Sequence, residues 1–216
     1  YLRSMNRDAT MAEEPVFFMS GTLQIEGLLQ TKPGDKGVVI THPHPLYGGS
    51  MYNNVVESLV RVYQQAGYAT LRFNFRGVGS SHGEYSDGTG EQEDVRSALR
   101  YLSERGKKVI DLAGYSFGAW VNALTKPPVD AVQSMIMVSP PVAFLDFGSA
   151  QPLPQLQLVI AGSRDEIAPQ ELIQTTLPNW NPGARLEVIE GADHFYGAYT
   201  EKLESILTDY LAGEPD

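Results

Sequence analysis

The chain has 216 residues, 42% hydrophobic and 19% charged, a composition that fits a folded domain with a sizeable core and excludes a wholly disordered chain. Its cysteine count is 0, which excludes disulfides, thiolate metal sites and a cysteine nucleophile. With 16 basic and 26 acidic side chains the net charge is −10, which disfavours nucleic acid and anionic membranes as partners, and no apolar run is long enough to span a bilayer.

Tyr1-Leu2-Arg3-Ser4 precede Met5 and read as a cloning remnant; no apolar signal region follows, so the expected location is the cytoplasm. Residues 1–14 are polar and expected to form a flexible segment, with one domain over 15–216. Val16–Met19 and Leu23–Leu29 read as an antiparallel pair around Ser20-Gly21, and Gly37–Ile40 as a short buried strand. Val55, Val56, Leu59, Val60 and Tyr63 form a helical stripe within Asn54–Gln65, ended by Gly67. Tyr68–Phe75 is the next strand. Thr89-Gly90-Glu91-Gln92 has capping-box spacing and opens a helix whose inner face is Val95, Ala98, Leu99 and Leu102. Val109–Leu112 is a strand, and Ser116–Thr125 a helix broken by Pro127-Pro128. Strands Ala131–Val138, Leu156–Ile160 and Arg185–Ile189 follow, with helices over Glu171–Leu177 and Tyr199–Leu211. Such alternation predicts an α/β fold, with a mostly parallel sheet and helices on both faces. In such sheets, working groups sit on loops at the carboxyl ends of strands.

Gly114-Tyr115-Ser116-Phe117-Gly118 follows one of those strands and is G-x-S-x-G between strand and helix. A sharp turn there strains the central residue and projects the Ser116 hydroxyl, while the glycines let neighbouring backbone come close. A serine nucleophile needs a base. Of the 4 histidines, His194 lies just past the last strand and is the candidate. The base needs a carboxylate to fix its tautomer. Asp165, in the loop after Leu156–Ile160, is the candidate; Glu166 beside it and the more distant Asp146 are rivals. An oxyanion needs two N–H donors. Phe117 supplies one. In Pro43-His44-Pro45 the prolines have no N–H, so the His44 backbone is the candidate for the other.

With these segments in hand, the chain resembles the α/β-hydrolases from about residue 15 onward. More narrowly it is similar to small lidless bacterial serine hydrolases related to dienelactone hydrolase. The segments that carry the resemblance are His42–Val56 (HPHPLYGGSMYNNVV), Leu71–Tyr85 (LRFNFRGVGSSHGEY), GYSFG, GSRDEIAP and GADHF. The resemblance implies Ser116 as nucleophile, Asp165 as acid, His194 as base, and the His44 and Phe117 backbones as oxyanion donors. This chain departs from the family in three places. It has no cysteine where many dienelactone hydrolases use one as nucleophile, His42-Pro43 replaces the usual His-Gly, and Asn74 stands where many members have Asp. The span Val142–Leu153 is too short for a lid domain, so an open, shallow site is expected.

His42-x-His44 suggests a rival, a metal-dependent hydrolase, but Leu46 and Tyr47 stand where further ligands would be needed. Gly77-Val78-Gly79 lacks the third glycine of a nucleotide loop and reads as a turn, with Arg76 tied into the loop network. Tyr47 is expected to contact substrate, with Tyr52 and Phe195 as further candidates for the pocket wall. The expected function is hydrolysis of carboxylic esters, with thioesters as a variant, through a Ser116 acyl-enzyme. No cofactor or metal is expected, the partner is a small-molecule ester, and the chain is a monomer or homodimer. A non-catalytic binding module on the same fold is the alternative.

Overall fold

A computed structural model describes residues 12–126 and 131–213. Most of the segment expected to be flexible, residues 1–11, and the Pro127-Pro128 helix break lie outside the described residues. The strands are β1 (Glu14–Ser20), β2 (Leu23–Gln30), β3 (Lys36–Thr41), β4 (Ala69–Phe73), β5 (Val109–Tyr115), β6 (Ser134–Val138), β7 (Leu156–Gly162) and β8 (Arg185–Ile189). The helices are α1 (Asn54–Gln65), α2 (Thr89–Ser103), α3 (Phe117–Thr125), α4 (Gln170–Trp180) and α5 (Thr200–Ala212).

All eight strands form one sheet in the order β1-β2-β4-β3-β5-β6-β7-β8. β1 and β2 pair antiparallel, as do β2 and β4; from β4 through β8 every pairing is parallel. Strand alternation divides the core between the two faces. Val38, Ile40, Ala113, Ile136, Val138, Leu158 and Ile160 face α1 and α5, where Leu59, Tyr63, Leu203 and Leu207 meet them. Val39, Leu112, Met135, Met137, Val159 and Ala161 face the other way, against Val95, Val121, Ile173 and Trp180 of α2, α3 and α4. Central strands buried on both faces read in sequence as unbroken apolar runs. Each fully buried Leu or Ile adds about 1.5–3 kcal/mol.

Several boundaries differ from expectation. β4 ends at Phe73: the Asn74 N–H still bonds the Glu26 carbonyl of β2 at 2.9 Å, while the Asn74 side chain and the Phe75 N–H take partners in the loop after β3. Asn74 Oδ1 accepts from Met51 N–H at 2.9 Å, and the Phe75 N–H donates to His42 Nε2 at 3.0 Å. β6 starts at Ser134, not Ala131, and the Gln133 N–H just before it already bonds the Ile110 carbonyl of β5 at 2.8 Å. The Thr89 capping box does not form: Gly88 is the N-cap, the Trp120 ring packs against it, and Glu91 instead accepts from Ser86 N–H at 2.9 Å. The Gly77 turn is closed by its N–H to the His82 carbonyl at 3.3 Å, while Arg76 pairs with Asp94 at 2.8 Å.

Between β6 and β7 there is one 3-10 turn, Gly148–Ala150, and no lid domain. Among the described residues, no helix is long and apolar enough to cross a membrane.

Candidate active site

The parallel strands all end on the same edge of the sheet, so the loops after β3, β5, β6, β7 and β8 converge there. β5 runs directly into α3 through Ser116, which sits at the helix N-cap with φ 54° and ψ −119°. A non-glycine residue in that region is strained by about 1–3 kcal/mol and must be held by its surroundings. Gly114 and Gly118 make the turn possible. A Cβ on Gly114 would lie 2.5 Å from Asn122 Nδ2 and 2.7 Å from Thr41 Oγ1. One on Gly118 would lie 2.7 Å from the Thr41 carbonyl oxygen and 2.8 Å from that of His42. The first turn of α3 is thus pressed against the end of β3.

Ser116 Oγ lies 2.8 Å from His194 Nε2. His194 Nδ1 lies 2.9 Å and 3.0 Å from the two Asp165 carboxylate oxygens. Three side chains far apart in the chain are therefore joined by hydrogen bonds in one line. Ser116 and His194 are both buried, with 7% and 6% exposure. The two rivals for the carboxylate position stand outside this line. Glu166 is exposed, and exposed Asp146 accepts from Gly148 N–H at 2.7 Å.

Asp165 is fixed from behind. Its Oδ1 accepts from the Ile167 and Ala168 N–H groups at 2.9 and 2.8 Å. Burial works to raise its pKa, but the His194 hydrogen bond and charge outweigh burial, with Ser139 and the Ala168 N–H adding to them, and the carboxyl is held below its ordinary range. The loops that carry Asp165 and His194 are also stitched together. Arg164 N–H donates to the Ala192 carbonyl at 2.9 Å, and Gly191 N–H to Ser163 Oγ at 2.8 Å.

His44 and Phe117 are brought together too. Their rings lie 4.7 Å apart, and Phe117 opens α3 immediately after Ser116. Tyr47 is 87% exposed with its ring 4.8 Å from that of His44, so it stands at the rim of the site rather than inside a pocket. Phe195 is exposed as well, edge-on to the His194 ring at 5.7 Å. Exposed Tyr52 instead lies against the Arg72 guanidinium, 5.5 Å from its carbon.

The His42–His44 pair does not form a ligand set. His42 Nδ1 donates to the Pro43 carbonyl at 2.7 Å, and its Nε2 accepts from Phe75. Burial depresses its pKa from 6.5 to about 4 despite the Pro43 bond. His44 Nδ1 accepts from Leu46 N–H at 3.2 Å. Among the described residues, no cluster of three or more His, Asp or Glu is placed to hold a metal.

Three supporting residues escaped the reading of the sequence. The Tyr115 hydroxyl donates to the His194 carbonyl at 2.6 Å, and the Ser139 and Tyr196 hydroxyls pair at 2.7 Å. Ser139 and Tyr196 both take positive φ, 46° and 55°. Ser139 directly follows β6, so the strand-end rule that found Ser116, Asp165 and His194 also pointed to it.

The profile of the alpha/beta hydrolase family matches residues 38–205. A curated relative, an uncharacterized protein of Rickettsia prowazekii, is 32% identical over 208 residues, covering 91% of this chain and 87% of its own length. A solved α/β serine hydrolase homologue from Coxiella burnetii superposes with TM-score 0.85 at 33% identity, covering 93% of this chain and 98% of that one. An α/β serine hydrolase without a lid, from Xanthomonas campestris, gives TM-score 0.84 at 27% identity, covering 94% of both chains. The strand order, the serine turn after β5 and the short connection from β6 to β7 agree with these matches, and the chain belongs to the α/β-hydrolase family.

Proposed function

We propose that this hydrolase cleaves carboxylic esters through a covalent acyl-enzyme on Ser116. The observation that carries the reading is the hydrogen-bonded line Ser116 Oγ–His194 Nε2, 2.8 Å, and His194 Nδ1–Asp165, 2.9 Å. His194 takes the Ser116 proton as Oγ attacks the ester carbonyl. Asp165, ionised, holds the imidazole with its Nδ1 proton inward and stabilises the imidazolium. The His44 and Phe117 backbone N–H groups receive the developing oxyanion. His194 then protonates the departing alcohol. It next takes a proton from water as that water attacks the acyl carbonyl, and gives the proton to Ser116 Oγ as the C–O bond to the serine breaks and the acid leaves. Thioesters fit the same steps. With no cysteine in the chain, the serine carries the acyl group. Tyr47 at the rim offers an apolar contact to the substrate.

The absence of a lid domain supports small acyl groups, or an ester exposed on a larger molecule. Nitrophenyl esters of increasing chain length measure which. Ser116→Ala is expected to lower ester turnover by roughly 10³-fold or more. A fluorophosphonate is expected to label the native protein at Ser116. Undiminished turnover in the variant overturns the reading, and folded native protein that neither labels nor hydrolyses esters supports a binding module instead.

A further inference from the structure

The imidazole of His44 has no part in the chemistry above, yet both of its nitrogens are hydrogen-bonded and its ring packs against aromatic neighbours. His44 is the N-cap of the 3-10 turn Pro45–Tyr47. Its Nδ1 accepts from Leu46 N–H at 3.2 Å, which closes that turn. Leu46 N–H can only donate, so Nδ1 carries no proton. Nε2 therefore holds the ring proton and donates to the Tyr85 hydroxyl at 3.3 Å. The ring also packs against those of Phe117, Tyr47 and Tyr85, at 4.7, 4.8 and 5.1 Å.

These contacts add a side-chain link to a loop that its backbone already shapes. Pro45 confines His44 to extended conformations, and φ −57°, ψ 123° lies within them. Tyr47 and Gly49 N–H groups both return to the His44 carbonyl, at 3.1 and 3.0 Å. Gly49 also lies so close to the Pro43 carbonyl that a Cβ there would overlap it. The turn is therefore internally stiff. Toward α3, whose first turn already meets the Thr41 and His42 carbonyls at Gly118, the ring of His44 adds a contact with the ring of Phe117.

We propose that the His44 imidazole is a positioning residue that couples the two oxyanion donors: it closes the turn that presents its own N–H and docks that turn on Phe117, whose N–H is the second donor. This rests on the reading of those N–H groups given under Proposed function. A shift of about 1 Å in one donor suffices to cost on the order of 10²-fold in rate.

The test uses His44→Ala, His44→Asn and His44→Phe in the full chain. Each is assayed for kcat and KM on a nitrophenyl ester, for the rate of fluorophosphonate labelling, and for thermal unfolding. His44→Ala is expected to lower kcat by about 10- to 100-fold, with KM within about threefold, and to slow labelling by the same factor. Asn keeps an acceptor for Leu46 N–H, and Phe keeps the ring contacts. Each is expected to recover part of the lost kcat, and should Ala not fold, this pair against the native protein decides. Full kcat in Ala, or in both Asn and Phe if Ala is unfolded, overturns the proposal, and so does a change confined to KM, which marks a residue that merely lines the site. Failure of the native protein to label at Ser116 overturns the hydrolytic reading and this inference with it. A labelled native protein with unaffected variants overturns this inference alone.

Discussion

The hydroxyl of Tyr115 donates to the backbone carbonyl of His194 at 2.6 Å, so the residue before Ser116 directly ties down the loop that carries the imidazole. The Tyr115 ring lies 5.4 Å from the His194 ring, so the same side chain also packs against it. The strand that leads into Ser116 thereby sets the position of His194 without relying on the Ser116 hydrogen bond. Tyr115→Phe keeps the packing and leaves a buried carbonyl unpaired, which costs about 1–3 kcal/mol. Urea unfolding is expected to show that loss, and ester turnover is expected to fall through kcat. A variant as stable and as active as the native protein removes the latch.

The strain at Ser116 is open to a direct comparison. Ser116→Ala and Ser116→Gly both lack the hydroxyl and both are expected to be inactive. At an ordinary position Gly is less stable than Ala by roughly 0.5–1 kcal/mol. At φ 54° and ψ −119° the order is expected to reverse, with Gly more stable by about 1–2 kcal/mol. Thermal unfolding of the two variants reads the sign, and Ala more stable than Gly contradicts a strained turn.

Gly118 tests the contact between α3 and β3. A Cβ there would lie 2.6 Å from Thr41 Oγ1 and 2.7 Å from the Thr41 carbonyl oxygen, so the helix must move away. Gly118→Ala is expected to lose about 1–3 kcal/mol and most of the activity. Gly197→Ala is the control, because nothing lies within 4 Å of its added Cβ. Equal effects of the two changes on unfolding midpoints refute the close approach.

Two buried groups give opposing pH dependences. Burial raises the Asp111 carboxyl to about 7, against partial relief from the Tyr63 hydrogen bond, Lys36 and Tyr68. A raised folded pKa gives stability that is full below the unfolded value of ~3.9 and lost as pH climbs through the folded one, up to about 4 kcal/mol here. His42, depressed to about 4, does the opposite: its stability is full above ~6.5 and about 3 kcal/mol is lost as pH falls toward 4. Between about pH 4 and 6.5 the two largely cancel. Asp111→Asn is expected to leave the His42 dependence unopposed. The variant's stability relative to the native protein then grows as pH rises, by urea unfolding at pH 4.5 and 7.5. A difference independent of pH removes Asp111 as its source.

Local patterns along the chain determined much of the protein. Unbroken runs such as Val38–Ile40 and Leu158–Ile160 announce strands covered on both faces, because a parallel central strand has no solvent side. The stripe from Val55 to Tyr63 announces the helix that covers one of those faces. G-x-S-x-G between strand and helix announces the serine turn, because only that spacing lets two backbones crowd a strained residue. Tertiary structure decided the rest. Asp165, Glu166 and Asp146 are alike in one dimension, and only the stacking of β7 beside β8 puts Asp165 on His194. Phe75 looks like strand until His42 in the loop after β3 takes its N–H, and Thr89 looks like a cap until Trp120 settles on Gly88. The hydroxyls of Tyr115 and Tyr196 carry no local pattern, and Ser139 shows only its place at the end of a strand. Their partners lie dozens of residues away, and hydrogen bonds of that kind are fixed by which strand ends the sheet order brings together.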